Sequence, residues 1–186
     1  MTTEAHGPVR LRNGVWGYGL VTKALHWSVA GAMAAQFTIG YLLEDSGGGR
    51  GRGRGRGSES GRGRGGDEEY VVFGDDPLLT THTLLGCAIL LLGLLRLTWR
   101  AATPLPPWAP TLGPFERGLA HWTEFALLAL TLGVPATGLV LLVAGDDALG
   151  VHIAAHVAFF AALALHVGLV ARHQFGVRDG LLRRML

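Results

Sequence analysis

Hydrophobic residues in this chain are gathered into four long runs separated by polar segments. The runs cover about residues 22–43, 78–100, 115–143 and 149–173. A membrane-spanning helix needs ~20 mostly apolar residues, so each run is long enough to cross a bilayer. The first run starts too late and is too long for a signal peptide. The pattern predicts an all-α fold, an integral membrane four-helix bundle forming a single transmembrane domain over residues 1–186.

Three connecting segments refine this picture. Residues 47–66 read GGGRGRGRGRGSESGRGRGG, and we predict a disordered Arg-Gly-rich insertion in the first outer loop because it has nothing to bury. We favour a flexible linker over an RNA-binding tract and predict no nucleic-acid partner. The proline-rich segment 104–114 is too stiff for a helix. The segment 144–147 is so short that the third and fourth helices must be antiparallel neighbours.

The distribution of charge predicts an orientation. The chain holds 16 Lys and Arg against 14 Asp and Glu. With both termini in the cytoplasm, the inner segments carry ten basic and four acidic residues. The outer loops carry ten acidic residues and six arginines, all six within the Arg-Gly tract. The positive-inside bias therefore predicts a multi-pass membrane protein with both termini cytoplasmic.

Histidines inside the apolar runs are the candidate functional residues, because imidazoles in a membrane span are costly and usually mark function. His152 and His166 are fourteen residues apart. They differ by only about 40° around a helix and by about 21 Å along it. By depth, His26 joins His166 near the inner face, and His82 joins His152 near the outer face. The four histidines thus form two pairs, and the last helix contributes to both.

A pair of imidazoles from facing helices suits axial ligation of haem iron. Zinc would favour three or four protein ligands, with thiolate or carboxylate among them. Cys87 is the only cysteine, which excludes an internal disulfide and a Cys-x-x-Cys-His haem attachment. Two non-covalent bis-histidine haems fit best. Such iron has no free position for a small ligand, and this predicts one-electron transfer.

Other polar residues in the runs have both functional and structural interpretations. His156 lies one turn from His152 and is either a rival outer ligand or a packing residue. His121 is a partner for a haem propionate or quinone, or an interfacial polar residue. Arg96 pairs with a cofactor carboxylate or anchors the topology. Glu124 is a proton carrier or an interfacial acid, and we place His173 at the interface.

Several sequence motifs together resemble those of one family, the bacterial cytochromes b561. They are ALHW at His26, TTHTLLG…LLRLTWR from His82, GLAH at His121, VPATGLV in the third run, LLRRM near the C-terminus, and the spacing of His152 and His166. The set covers nearly the whole chain outside the Arg-Gly insertion. Where the family often has a second histidine, three residues after His121, this chain has an acid.

The resemblance implies a di-haem b-type cytochrome of the bacterial inner membrane. His26 and His166 would be the axial ligands of the inner haem, and His82 and His152 those of the outer haem. Family members pass electrons to or from membrane quinone, and some oxidise superoxide, so superoxide:quinone oxidoreductase activity is left open. Besides quinone and membrane lipid, the expected partners are a second electron donor or acceptor and either a second copy of the chain or a partner subunit.

Two alternatives from other classes stay open. One is a haem-bearing membrane-anchor subunit of a dehydrogenase or hydrogenase-type complex. The other is a haem-free helical membrane protein whose histidines bind a transition metal.

Overall fold

A computed structural model of the protein describes residues 10–15, 17–45 and 76–186, and the predicted Arg-Gly-rich insertion lies outside them. Four long α-helices account for most of the described chain: α1 (Leu20–Asp45), α2 (Pro77–Ala102), α3 (Pro114–Ala144) and α4 (Leu149–Ala171). A 3₁₀ turn, Gly145–Ala148, joins α3 to α4. After α4 come one π-helical turn, Arg172–Val177, and a 3₁₀ turn, Leu181–Arg184. The predicted all-α helical bundle is confirmed.

Local sequence explains where two of the helices begin. The Asp76 carboxylate accepts hydrogen bonds from the backbone N–H groups of Leu78 and Leu79, at 2.8 and 3.2 Å. Pro77 follows it, and proline suits the first helical position because its missing N–H would be unsatisfied there anyway. At the start of α3, Glu116 accepts the Gly113 N–H at 3.0 Å.

Helices that follow one another along the chain pack side by side: α1 against α2, α2 against α3, and α3 against α4. The bundle therefore has two distinct ends. We call the end that holds the start of α1, the 103–113 loop and the C-terminal tail the terminal end. The end that holds the α3–α4 turn is the hairpin end.

Three helices are long and apolar enough to cross a membrane: α2, α3, and α4 with its π-helical extension, at mean hydropathies of 2.0, 2.3 and 2.1. Many of their large apolar side chains point outward, as lipid contact requires. In the described part of the chain, α1 is not among these candidates. Like α2 it is 26 residues long, but its sequence includes the polar residues Lys23, His26 and Gln36. Its membrane crossing stays a prediction.

A seven-residue spacing brings the histidines into the interior of the bundle. Residues seven apart lie on one helix face, which drifts by only ~20° per repeat. Three such rows face the interior: His26, Met33 and Gly40 on α1; His82, Ile89 and Arg96 on α2; His152, Phe159 and His166 on α4. Met33, Ile89 and Phe159 belong to the buried hydrophobic core. The bundle thus has an apolar middle layer with imidazoles at both ends.

Candidate functional site

The first histidine pair, which we call the terminal pair, joins α1 to α4 at the terminal end. The ring centroids of His26 and His166 are 6.4 Å apart, and the ring planes are inclined by 54°. The ring of Trp27 stands edge-on to His26, at 5.3 Å between centroids. The Trp27 indole N–H donates to the Met185 carbonyl oxygen at 3.0 Å, which ties the C-terminal tail to the residue beside His26.

An arginine lies beside the terminal pair. Arg96 on α2 is partly buried and lies within electrostatic range of both His26 and His166. Glu124, which also lies near Arg96, is engaged in an ion pair with Arg100. The Arg96 guanidinium therefore places a positive charge within electrostatic range of the two imidazoles.

The second pair, which we call the hairpin pair, lines a cavity of about 430 Å³ that is bordered by all four helices. His82 enters it from α2 and His152 from α4. Most of the remaining wall is apolar, including Met33, Phe37 and Ile89. Binding pockets for small molecules and cofactors commonly measure ~300–1,000 Å³ and combine apolar walls with a few polar groups.

Each ring of the hairpin pair rests against a glycine of a neighbouring helix. A Cβ atom at Gly40 on α1 would lie 3.2 Å from Cε1 of His82. A Cβ atom at Gly138 on α3 would lie 3.2 Å from Cε1 of His152. Both distances are shorter than ordinary van der Waals contact, so the two glycines make room for the imidazoles.

The hydrogen bonds of Thr137 fix the tautomer of His152. The Thr137 hydroxyl lies 2.8 Å from the carbonyl oxygen of Val134, which can only accept, so its single proton is donated there. The same hydroxyl lies 2.9 Å from Nδ1 of His152 and must therefore accept the Nδ1–H. A neutral imidazole protonated at Nδ1 has its free lone pair on Nε2. His152 is thus held in a tautomer that can bind a metal through Nε2.

Two further predicted site residues, His156 and His121, lie in different surroundings. His156 also lines the cavity, and its ring contacts those of His152 and Phe37 at 4.2 and 5.2 Å between centroids. His121 is exposed on α3, with its ring 6.1 Å from that of Trp122. His156 therefore joins the hairpin pair in the cavity, whereas His121 lies on the outer surface of α3.

The separation of the terminal pair fits the dimensions of a metal held between two imidazoles. With metal–nitrogen bonds of ~2.1 Å on opposite sides, the ring centroids would lie about 6 Å apart, close to the separation of His26 and His166. At the other end, His82 and His152 face one cavity. Nδ1 of His82 is buried without a hydrogen-bond partner in the described structure. These are the features expected of residues that surround a large planar ligand.

Comparison with known protein families decides the assignment. The family model for prokaryotic cytochrome b561 matches residues 17–186. The chain belongs to the prokaryotic cytochrome b561 family. Among curated proteins, no significant match was found. Together with its three apolar helices, membership makes the chain a multi-pass membrane protein, a b-type cytochrome of electron transport that binds haem b.

The C-terminal tail of this cytochrome contains a buried cluster that sequence analysis missed. We predicted that His173 lies at the membrane interface, and that stays a prediction; within the protein the residue is 0% exposed. Its Nδ1 lies 2.7 Å from Asp179 and its Nε2 lies 3.6 Å from Glu116. Burial acts to raise the pKa of Asp179, but hydrogen bonds from Thr111, His173 and the Leu181 N–H outweigh it and lower that pKa.

Thr137 and Gly138 were also missed as residues of the hairpin pair, although the sequence contains a signal for them. The α3–α4 connection is short, so residues at equal distances on either side of it lie at the same depth. Gly138 lies seven residues before the connection Gly145–Ala148, and His152 lies four residues after it. Counting outward from the turn therefore places Thr137 and Gly138 within about one helical turn of His152 in this cytochrome.

Proposed function

We propose that the protein binds two b haems, one at each histidine pair, and carries single electrons between membrane quinone and a second donor or acceptor, with superoxide as one candidate. The observation that carries the proposal is the facing arrangement of His26 and His166, whose separation suits a bis-histidine metal. A second pair at the other end of the bundle, lining a cavity of its own, supports the count of two.

The available ligands favour haem over zinc. Within the described ranges, no group of three or more His, Cys, Asp or Glu side chains is placed to hold a metal ion. Structural zinc takes four protein ligands and catalytic zinc three. Two imidazoles satisfy haem iron, because the porphyrin supplies the other four ligands.

The residues around each pair would bind and insulate the haem. Bound haem supplies one-electron redox chemistry. Arg96 offers its guanidinium to a haem carboxylate at the terminal pair, and Thr137 holds His152 with Nε2 unprotonated. The core residues Ile89 and Phe159 fill the bundle between the pairs and exclude water from the layer between them.

Charge supports the bacterial inner membrane as the location, with both termini cytoplasmic. The terminal end carries many basic residues: Arg100, Arg117, Arg172, Arg178, Arg183 and Arg184. Positively charged segments are retained on the cytoplasmic side. A reporter fused to the C-terminus that is active only in the cytoplasm tests this orientation, and activity confined to a periplasmic reporter contradicts it.

Haem counting tests the number of sites. Pyridine haemochrome analysis of the purified full chain is expected to give two b haems per chain. His166→Ala should remove the terminal haem and His82→Ala the hairpin haem, leaving one haem in each variant. His121→Ala is the control, because that side chain is exposed, and it should keep both. One haem in the wild-type protein, or two in His166→Ala, contradicts the proposal.

Electron transfer is tested on the same preparation. Reduced quinone should reduce both haems of the isolated chain, and rapid-mixing spectroscopy follows that reaction. Superoxide added to the oxidised protein tests the second donor. A protein that holds two haems but accepts no electrons from quinol contradicts the quinone assignment and fits an anchor subunit that needs a partner.

A further inference from the structure

Gln36 is a buried polar residue of α1 to which the proposed function assigns no role. Its side chain is 9% exposed, and it lines the cavity of the hairpin pair. Its amide nitrogen donates to the backbone carbonyl oxygen of His82 at 3.0 Å. A carbonyl oxygen can only accept, so the positions of Nε2 and Oε1 are fixed. Oε1 is therefore a buried acceptor, and it has no hydrogen-bond partner among the described residues.

The imidazole of His82 presents the complementary group. Its Nδ1 is also buried, and no described residue hydrogen-bonds to it. The Cε1–Nδ1 edge of the ring faces α1, since a Cβ atom at Gly40 would lie 3.2 Å from Cε1 and 3.6 Å from Nδ1. Gln36 lies one turn before Gly40 on the same face of α1. An unused donor position and an unused acceptor thus occur on two residues that already touch.

Packing keeps the Gln36 amide close to this edge. A Cβ atom at Gly86, one turn after His82 on α2, would lie 3.4 Å from Nε2 of Gln36. The small residue lets the amide lie close against α2. Buried polar groups without partners are costly, and they are usually paired directly or through an ordered water.

We propose that Gln36 is a positioning residue for His82. Its Oε1 accepts the His82 Nδ1–H, directly or through one water, and leaves the Nε2 lone pair for haem iron. This inference rests on the proposed function at the hairpin pair. It gives His82 the same kind of support that Thr137 gives His152, so each histidine of the pair is oriented by a polar side chain of the preceding helix.

A hydrogen bond from the second ring nitrogen makes an imidazole a more basic ligand. A more basic ligand stabilises ferric iron relative to ferrous iron and lowers the midpoint potential. Loss of the acceptor at Gln36 should therefore raise the potential of the hairpin haem. Outer partners of metal ligands typically contribute ~10–100-fold to metal affinity, so haem retention at this pair should fall by a similar factor.

Two variants of the full-length protein test this. Gln36→Met removes both polar atoms at similar size, and Gln36→Glu keeps an acceptor oxygen whether or not it is ionised. A redox titration that resolves the two haems should show a raised midpoint potential for the hairpin haem in Gln36→Met. In Gln36→Glu that midpoint potential should not be raised. The terminal haem is the internal control and should not move. An unchanged hairpin midpoint in Gln36→Met overturns the inference.

Nitrogen-15 spectra of labelled histidine give a readout that does not need haem. They should show His82 protonated at Nδ1 in the wild-type protein, with an altered Nδ1 signal in Gln36→Met. If the purified chain holds no haem but this signal depends on Gln36, the inference stands and the proposed function fails. If two haems are present and the His82 signal is the same in both proteins, the function stands and the inference fails.

Discussion

At the scale of single residues, the ring of His152 is held in place on several sides. The Thr137 hydroxyl accepts its Nδ1–H, Gly138 makes room for its Cε1 edge, and His156 packs against it from the next turn of α4. The residue is 8% exposed, so these contacts enclose its ring except where it borders the cavity of the hairpin pair. A ligand whose tautomer and plane are both fixed before binding loses less conformational freedom when a cofactor arrives.

Gly138→Ala tests this constraint. The added methyl group would lie 3.2 Å from Cε1 of His152 and 3.7 Å from Nδ1, so the ring must shift by a few tenths of an ångström. We expect a shifted midpoint potential of the hairpin haem and up to ~10-fold weaker retention of that haem. The terminal haem should be unchanged. Redox titration and haemochrome analysis measure both.

Gly133→Ala is the matched control for this prediction. It lies on the same helix, and a Cβ atom there would meet nothing within 4 Å. Both changes replace a helical glycine, a gain of up to ~1 kcal/mol in helix stability, so they differ in the contact with His152. Equal effects of the two variants on the hairpin haem would refute the role of Gly138.

At the scale of helices, α2 and α3 approach each other closely at Gly93. A Cβ atom at Gly93 would lie 2.7 Å from Cδ2 of Leu132 and 3.2 Å from Cγ2 of Thr131. Small residues at helix contacts permit such close approach, which strengthens packing within a membrane where the hydrophobic effect contributes little. Gly93 therefore makes room for the side chains of Leu132 and Thr131 where α2 packs against α3.

Gly93→Ala should destabilise the bundle. Overfilling a packed contact costs about 1–3 kcal/mol, and the better helix propensity of alanine offsets at most about 1 kcal/mol of this. Thermal unfolding in detergent should show a lower midpoint temperature than that of the wild-type protein. Gly31→Ala and Gly118→Ala have open space around the added atom, so they should match or exceed the wild-type midpoint. A Gly93→Ala protein as stable as these controls contradicts the prediction.

The helices themselves could be predicted closely from hydropathy. The run 78–100 became Pro77–Ala102 and the run 115–143 became Pro114–Ala144, because apolar residues, prolines and caps all favour the same boundaries. The end of α4 was less predictable. Its apolar run continues into a π-helical turn, where His173 contacts Asp179, six residues further on, and Glu116 at the start of α3.

At the scale of the whole molecule, counting residues along a helix predicts how far each histidine lies from the helix end, but not what surrounds the side chain. Heptad spacing on one helix is visible in the sequence, so the two layers of His152 and His166 could be anticipated. Contacts between helices depend on rotation and close packing. The bond from Gln36 to His82 therefore could not be predicted from spacing alone, and neither could the exposure of His121.

The terminal end is joined by segments far apart in sequence. The Tyr18 N–H donates to the Arg184 carbonyl oxygen at 3.3 Å, and the Arg184 guanidinium donates to the Pro107 carbonyl oxygen at 2.8 Å. The tail can turn back because Arg178 and Gly180 adopt left-handed backbone conformations, at φ of 59° and 69°. The tail thus packs against the start of α1 and the 103–113 loop.

The Asp179 carboxylate holds the C-terminal tail in this packed position, so ionisation of Asp179 should control whether the tail stays packed. Its folded-state pKa is lowered, so its contribution to stability is present above the ordinary value of 3.8 and is lost as the pH falls through the lower folded value. Hydrogen exchange of residues 178–186, corrected for intrinsic rates, should therefore quicken in the wild-type protein only as the pH falls below 3.8.

Asp179→Asn should expose the tail at every pH. A hydrogen bond to a charged group contributes about 1.5–3 kcal/mol, so protection of the tail amides should fall by roughly 10–100-fold at neutral pH and lose its dependence on acid. Asp147→Asn removes an exposed carboxylate at the hairpin end and should behave as wild type. If the Asp179→Asn tail exchanges as slowly as the wild-type tail, the packing of the 103–113 loop and the start of α1 holds the segment without this carboxylate.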